Sequence, residues 1–199
     1  MRKFVLFVFL IFVLATTLVA QRRTLQYNIL HNGEVMGSLQ LSQNTIANTT
    51  NIKIESIVRT RFIIRINVES FEEATFQNGI LVYSSLRRTV NGSERVNQQI
   101  QARGVLYKMT SGAKIKNLPA YPIYYSILSL YYQEPININM VYSDNFQQYV
   151  PVTRVSPNKY KISFPNGNYN YYTYKNGICT TVDINQTLYD IQFRLNPFP

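Results

Sequence analysis

The sequence predicts a mainly β fold: a single antiparallel, hairpin-rich sheet that is curved or forms a partly open barrel. The first observation is the dipeptide Asn-Gly, which supplies five of the eight glycines. A type I′ turn needs positive φ at both central residues, and Asn and Gly tolerate this best. The second observation is that the runs between these dipeptides are rich in Ile, Val, Thr, Tyr and Phe, which favour strands. The dipeptides are Asn32-Gly33, Asn78-Gly79, Asn91-Gly92, Asn166-Gly167 and Asn176-Gly177.

The segment from Arg59 to Ser70 has the alternation of one half-buried strand. Apolar side chains recur at every second position and predict a face turned toward the core. These positions are Thr60, Phe62, Ile64, Ile66 and Val68. The opposite face carries a basic row, Arg59, Arg61 and Arg65, which we expect to face water or a polar cavity.

Two of the turns predict a strand register. A two-residue loop at Asn78-Gly79 places Glu69 opposite Arg88, and one at Asn91-Gly92 places Arg88 opposite Arg95. A β-bulge in either hairpin would shift these pairs.

One segment departs from the β pattern. Pro122 can open a helix at its first turn and Pro135 can stop it, so a short apolar helix is predicted over about 122–133. Most of its surface is apolar, which predicts that it is buried against the sheet or plugs an opening.

The first 20 residues have the composition of a secretory signal peptide. Arg2 and Lys3 precede an apolar run from Phe4 to Leu14, and Ala20 is a small residue before a polar stretch. Cleavage after Ala20 would leave residues 21–199 as one β-rich domain, exported to the periplasm or secreted and not membrane-spanning. A transmembrane anchor needs about 20 apolar residues, which this run reaches only by including two threonines.

The mature chain would carry 18 basic and 10 acidic side chains, a formal net charge of +8. Such a charge suits nucleic acid, an anionic surface or plain solubility. The basic residues are scattered, and an exported protein does not meet nucleic acid, so no nucleic-acid partner is expected.

Catalytic chemistry finds little support in the sequence. One histidine, His31, and one cysteine, Cys179, cannot supply a usual metal site, and no intramolecular disulfide can form. We assign no catalytic residue, metal or cofactor. Paired carboxylates could still serve a hydrolase. The candidates are Glu69, Glu72, Glu73, Glu134, Asp144, Asp183 and Asp190.

Tyrosine is abundant in the second half of the chain. Its apolar ring and polar tip suit ligand contact, although tyrosine also simply favours strands. The candidate ligand-binding residues are Tyr124, Tyr131, Tyr171 and Tyr172.

Several short motifs resemble an uncharacterised family of exported Bacteroidota β-rich proteins. They are Tyr27-x-Ile29, Asn32-Gly33, Gly37-x-Leu39-x-Leu41 and Ser126-x-x-x-Leu130-Tyr131-Tyr132-x-Glu134-Pro135. The resemblance implies a domain of unassigned function, and it offers no catalytic residues to carry over. Its general style is similar to exported half-barrel domains that bind lipids or lipoproteins, an analogy of fold alone.

Three functions remain open on the sequence. The first is a non-enzymatic binding domain for a hydrophobic or glycan ligand, with a lipid, glycan or protein as partner. The second is a small outer-membrane β-barrel, for which alternating strands and tyrosines argue. The third is a carboxylate-dependent hydrolase.

Overall fold

The structure is a computed structural model that describes residues 20–61, 65–119, 121–185 and 190–197. All of the predicted signal peptide except Ala20 lies outside these residues. The described chain forms antiparallel strands and one short 3₁₀ helix. The strands are β1 (Gln21–His31), β2 (Glu34–Ile46), β3 (Thr49–Arg61), β4 (Arg65–Gln77), β5 (Ile80–Val90), β6 (Ser93–Arg103), β7 (Leu106–Ser111), β8 (Lys114–Pro119), β9 (Met140–Ser143), β10 (Gln148–Ser156), β11 (Lys159–Ser163), β12 (Tyr169–Lys175), β13 (Ile178–Asn185) and β14 (Asp190–Leu195).

These strands form one antiparallel sheet. Its order is β8-β7-β6-β5-β4-β3-β2-β1-β14-β13-β12-β11-β10-β9. The first and last strands pair in the middle, with Tyr27 opposite Leu195. The two edges, β8 and β9, are consecutive in the chain and do not pair within the described residues, so the sheet is not closed into a barrel. The predicted mainly β, antiparallel class is confirmed, and each of the five Asn-Gly dipeptides lies between consecutive strands.

The sheet curves around the segment that joins its two edges, residues 121–139. Leu128, Leu130 and Tyr131 of this segment are buried in the core. Tyr131 meets rings from both halves of the sheet, Tyr27 at 5.5 Å and Tyr172 at 6.0 Å between centroids, each edge to face. Edge-to-face packing is a favoured geometry for aromatic pairs. The segment therefore fills the interior.

The predicted helix over 122–133 is much shorter in the structure. Only Ile127–Tyr131 is helical, and it is a 3₁₀ helix. The residues before the helix instead form backbone hydrogen bonds with two strands. Leu81 N–H of β5 donates to the Ile123 carbonyl, and Tyr142 N–H of β9 donates to the Tyr125 carbonyl. Backbone groups that pair with strands cannot also close helical turns. No helix among the described residues is long and apolar enough to cross a membrane.

The single strand predicted from Arg59 to Ser70 is wrong. The structure ends β3 at Arg61, begins β4 at Arg65 and pairs these two residues across the hairpin. The sequence suggests one strand because the alternation of apolar and polar residues keeps the same phase in β3 and β4. The predicted apolar positions Phe62 and Ile64 lie outside the described residues.

The predicted charge register is also wrong, by one residue in each hairpin. A bulge between Thr75 and Phe76 places Ser70, not Glu69, opposite Arg88. A second irregularity places Val96, not Arg95, opposite Arg88. An extra residue on one strand of a hairpin moves every later pair by one position.

Candidate functional site

Along β3, β4 and β5, burial on the inner face decreases from the end near the Asn78-Gly79 turn toward the opposite end. Near the Asn78-Gly79 turn, Phe76, Leu81, Ile52 and Ala74 are buried. Beyond Ile54, Ala74 and Leu86, the next two inward positions of each strand are only half-buried. The joining segment thus fills one end of the curved sheet. We call the other end, which carries the β1–β2, β3–β4 and β5–β6 connections, the open end, because the inward residues of β3, β4 and β5 are only half-buried there.

The open end carries an apolar row across three strands. Val58 lies opposite Val68, and Val68 lies opposite Val90. All three share the inward face of their strands with core residues, and all three are half-buried. We call Val58, Val68 and Val90 the valine row. Three strands at about 4.8 Å spacing make this row roughly 10 Å long.

A polar row lies directly below the valine row, one inward position deeper. Ser56 lies opposite Ser70, and Ser70 lies opposite Arg88. We call Ser56, Ser70 and Arg88 the polar row. An Arg88 Nη2 lies 3.9 Å from Glu72 Oε1, the next inward residue of β4. Burial raises the pKa of Glu72, and the Arg88 guanidinium partly opposes this effect.

A second carboxyl, that of Asp144, is buried. Asp144, just beyond β9, accepts a hydrogen bond of 2.5 Å at Oδ1 from the hydroxyl of Ser84. Burial raises the pKa of Asp144 to about 7; the Ser84 bond opposes that rise, and the negative charge of Glu72 adds to it. A carboxyl whose pKa is raised both by burial and by a neighbouring carboxylate favours its protonated form. A hydrolase would need this pair at a cleft, and neither residue lines the two clefts described next.

Two surface clefts lie at opposite ends of the sheet. One, of about 350 Å³, is at the open end and is lined by Asn32, Tyr171, Asp183, Gln192 and Arg194 among others. The other, of about 480 Å³, is at the filled end and is lined by Arg23, Tyr132, Glu134 and Ile178 among others. Both lining sets mix polar and apolar side chains.

The structure does not bring the four predicted tyrosines onto one surface. Tyr131 and Tyr172 pack against each other in the core. Tyr171 lies on the outer face and lines the open-end cleft, where Lys159 lies 4.9 Å from its ring centroid. Tyr124 is exposed on the joining segment. Two of the four thus have a clear structural role.

The predicted basic face lies at the tip of the β3–β4 hairpin. Arg59 is exposed and lies opposite Asn67. Arg61 and Arg65 are cross-strand partners. This places all three residues beside the open end, on positions that alternate with the inward valine and polar rows.

His31 and Cys179 lie at opposite ends of the sheet. Cys179 is buried at the start of β13, where its carbonyl accepts a 2.6 Å hydrogen bond from the Tyr27 hydroxyl. His31 ends β1 at the open end. In the described ranges, no three His, Cys, Asp or Glu side chains are grouped as metal ligands would be.

The valine and polar rows were not predicted, because valine and serine are ordinary strand residues and the rows form only when three strands are aligned. A signal was present in β4, where Ser70 and Glu72 occupy the same alternating face as Ala74 and Phe76. Polar residues on an otherwise apolar face point to a cavity or a paired interior charge. The bulge that aligns Arg88 with this face could not be located from the sequence.

Comparison with known proteins supports the fold and leaves the function open. A solved structure from Brucella abortus, described as a beta-barrel-like protein of domain of unknown function DUF1849, has a TM-score of 0.59 and 11% identity. The match covers 90% of this chain and 96% of that one. No curated protein matches the sequence. The model of another family, domain of unknown function DUF6134, matches residues 27–196.

That match spans most of the chain, including the motifs that carried the resemblance to an uncharacterised family. The prediction of such a family is confirmed, and a Bacteroidota source stays a prediction. The chain belongs to the DUF6134 family of unknown function.

Proposed function

We propose that the protein is exported and acts as a non-enzymatic binding domain for a hydrophobic ligand held at the open end. One observation carries the proposal: the valine row is a half-buried apolar strip on the inner face, and the polar row separates it from the part that the joining segment fills. An apolar surface that a fold leaves partly uncovered in a concave position is a usual place for a ligand.

The energetics support a ligand of moderate size. Full burial of one valine contributes about 1.5–3 kcal/mol. The valine row is already half-buried, so a ligand would gain roughly 1 kcal/mol at each of the three positions. This suits a chain-like apolar group lying across the strands.

A glycan ligand has a different location available. Tyr171 lines the open-end cleft together with Asp183, Asn185 and Gln192, which can exchange hydrogen bonds with hydroxyl groups. In this second form of the proposal, the glycan occupies the outer cleft and leaves the valine row uncovered.

The other two functions have less support. The outer face of β3 to β6 carries exposed charges such as Lys53, Glu55, Arg59 and Arg87, whereas an outer-membrane barrel presents an apolar band outside. A hydrolase has less support because neither Glu72 nor Asp144 lines either of the two clefts.

Binding is tested with phenylnaphthylamine, a neutral fluorescent probe of apolar sites. We expect saturable fluorescence enhancement with the purified protein. Val68→Asp places a charge in the valine row and should weaken binding at least about tenfold. The control is Val155→Asp, since Val155 is 46% exposed elsewhere on the surface. No saturable binding, or equal losses in both variants, would refute the proposal.

Export has a separate test. We expect the protein in the soluble periplasmic or secreted fraction, with Gln21 as its first residue by N-terminal sequencing. Recovery only in detergent-solubilised outer membrane would instead support the barrel.

A further inference from the structure

The Arg88 guanidinium has hydrogen-bonding capacity that no described residue satisfies. Within the described residues its ion-pair contact is with Glu72 at 3.9 Å, a distance outside the hydrogen-bonding range. No hydrogen bond from its nitrogens to another described residue is observed. The side chain is 34% exposed, so solvent or a ligand reaches it. Arginine presents five N–H donors in a fork that matches a carboxylate.

The position of Arg88 relates this cation to the apolar surface. Val90 is the next inward residue of β5, about 7 Å from Arg88 along the strand. Val68 lies opposite Val90, and Ser70 lies opposite Arg88. An anion bound by Arg88 would therefore begin at the edge of the valine row, and an apolar tail attached to it would lie on Val90, Val68 and Val58.

Glu72 is the internal competitor for the same guanidinium. Its carboxyl is part-buried, and burial raises its pKa, so protonation of Glu72 is made easier than in water. A protonated Glu72 no longer neutralises Arg88, and the guanidinium becomes available to an outside carboxylate.

We propose that the hydrophobic ligand is a fatty acid whose carboxylate pairs with Arg88 while its acyl chain covers the valine row. The inference rests on the proposed function and specifies its ligand. Charge complementarity selects this occupant: a cation at the end of an apolar row matches a molecule with one anionic end and one apolar tail.

The test compares two competitors of equal chain length, lauric acid and dodecanol, in displacing phenylnaphthylamine from the purified protein. The wild type should bind lauric acid at least about tenfold more tightly than dodecanol, as expected for a charge-assisted pair. Arg88→Gln should remove this preference by weakening lauric acid binding and leaving dodecanol binding unchanged.

Two further variants separate recognition from a structural effect. Glu72→Gln removes the competitor and should tighten lauric acid binding, whereas damage to the fold would weaken both ligands. Arg87→Gln is the matched control, since Arg87 is the exposed neighbour paired with Glu94 on the outer face. It should bind as the wild type does. If Arg88→Gln fails to fold, two measurements still test the inference. They are the ratio of the wild-type affinities for lauric acid and dodecanol, and the change in lauric acid affinity in Glu72→Gln.

The experiment distinguishes failure of the fatty-acid inference from failure of the proposed binding function. If the probe binds and Val68→Asp prevents this, but lauric acid and dodecanol compete equally, the fatty-acid inference is overturned and the proposed function stands. If Glu72→Gln weakens lauric acid binding, the assigned competition is wrong. If the probe does not bind the wild type at all, both proposals fail together.

Discussion

The Ser84 hydroxyl donates to Asp144 Oδ1 across 60 residues of sequence, and both residues are buried. This bond joins β5 to the chain just beyond β9. Gln147 makes a neighbouring link, because its Nε2 donates to the Thr110 carbonyl of β7 at 2.9 Å. The β9–β10 end of the sheet is therefore held against β5 and β7 by side chains rather than by a strand ladder, which is how the sheet curls without closing.

The Asp144 carboxyl makes the stability of the protein depend on pH. Its pKa is raised from 3.8 to about 7 on folding, so between these values the folded protein binds more protons than the unfolded chain. The free energy of unfolding should therefore fall as the pH rises from about 4 to about 7, by up to about 1.4 kcal/mol per pH unit, and then level off. Glu72, whose pKa is also raised, acts in the same direction.

Asp144→Asn tests this assignment by urea unfolding at several pH values. The amide oxygen still accepts from Ser84, and the site no longer ionises, so the variant should lose part of the pH dependence and gain stability relative to the wild type above pH 7. The control is Asp183→Asn, since Asp183 is only half-buried whereas Asp144 is buried. Identical pH profiles for wild type and Asp144→Asn would contradict the assignment.

The hairpins could be predicted from the sequence because their turns depend on local chemistry. At Asn78 and Gly79 the chain adopts φ values of 51° and 76°, the left-handed region that these two residues tolerate. The end of β3 at Arg61 and the start of β4 at Arg65 could not be predicted, because the sequence between them, Phe62, Ile63 and Ile64, is made of strand-favouring residues. The predicted helix over 122–133 was too long because tertiary interactions override the local sequence preference. Hydrogen bonds from Leu81 and Tyr142 occupy carbonyls that a longer helix would use.

Tyr131 should matter for stability and Tyr124 should not. Tyr131 is buried between Tyr27 and Tyr172, whereas Tyr124 is 56% exposed. Tyr131→Ala leaves a cavity and should lower the free energy of unfolding by about 3–5 kcal/mol, measured by urea titration. Tyr124→Ala should change it by less than about 0.5 kcal/mol. Equal effects would show that the joining segment is not packed as described.

Gly37 and Gly79 should respond differently to alanine. A Cβ on Gly37 would meet the Ile57 carbonyl of β3 at van der Waals overlap, and that backbone atom cannot rotate away. Gly37→Ala should therefore destabilise by about 2–3 kcal/mol. A Cβ on Gly79 meets nothing within 4 Å, so only its positive φ opposes alanine and the loss should be about 1 kcal/mol. Thermal unfolding of both variants checks the order, and the reverse order would contradict the β2–β3 register.

Cys179 should not react with thiol reagents in the folded protein. Its side chain is buried, its Sγ donates to the Thr181 carbonyl at 3.4 Å, and burial raises the pKa of the thiol. The thiolate is the reactive species, so a coloured disulfide reagent should label Cys179 only when guanidinium unfolds the chain. A matched control is Thr153→Cys in a Cys179→Ala background, since Thr153 is exposed on β10 and should react at once. Rapid labelling of native Cys179 would mean that β13 does not seal the filled end of the sheet.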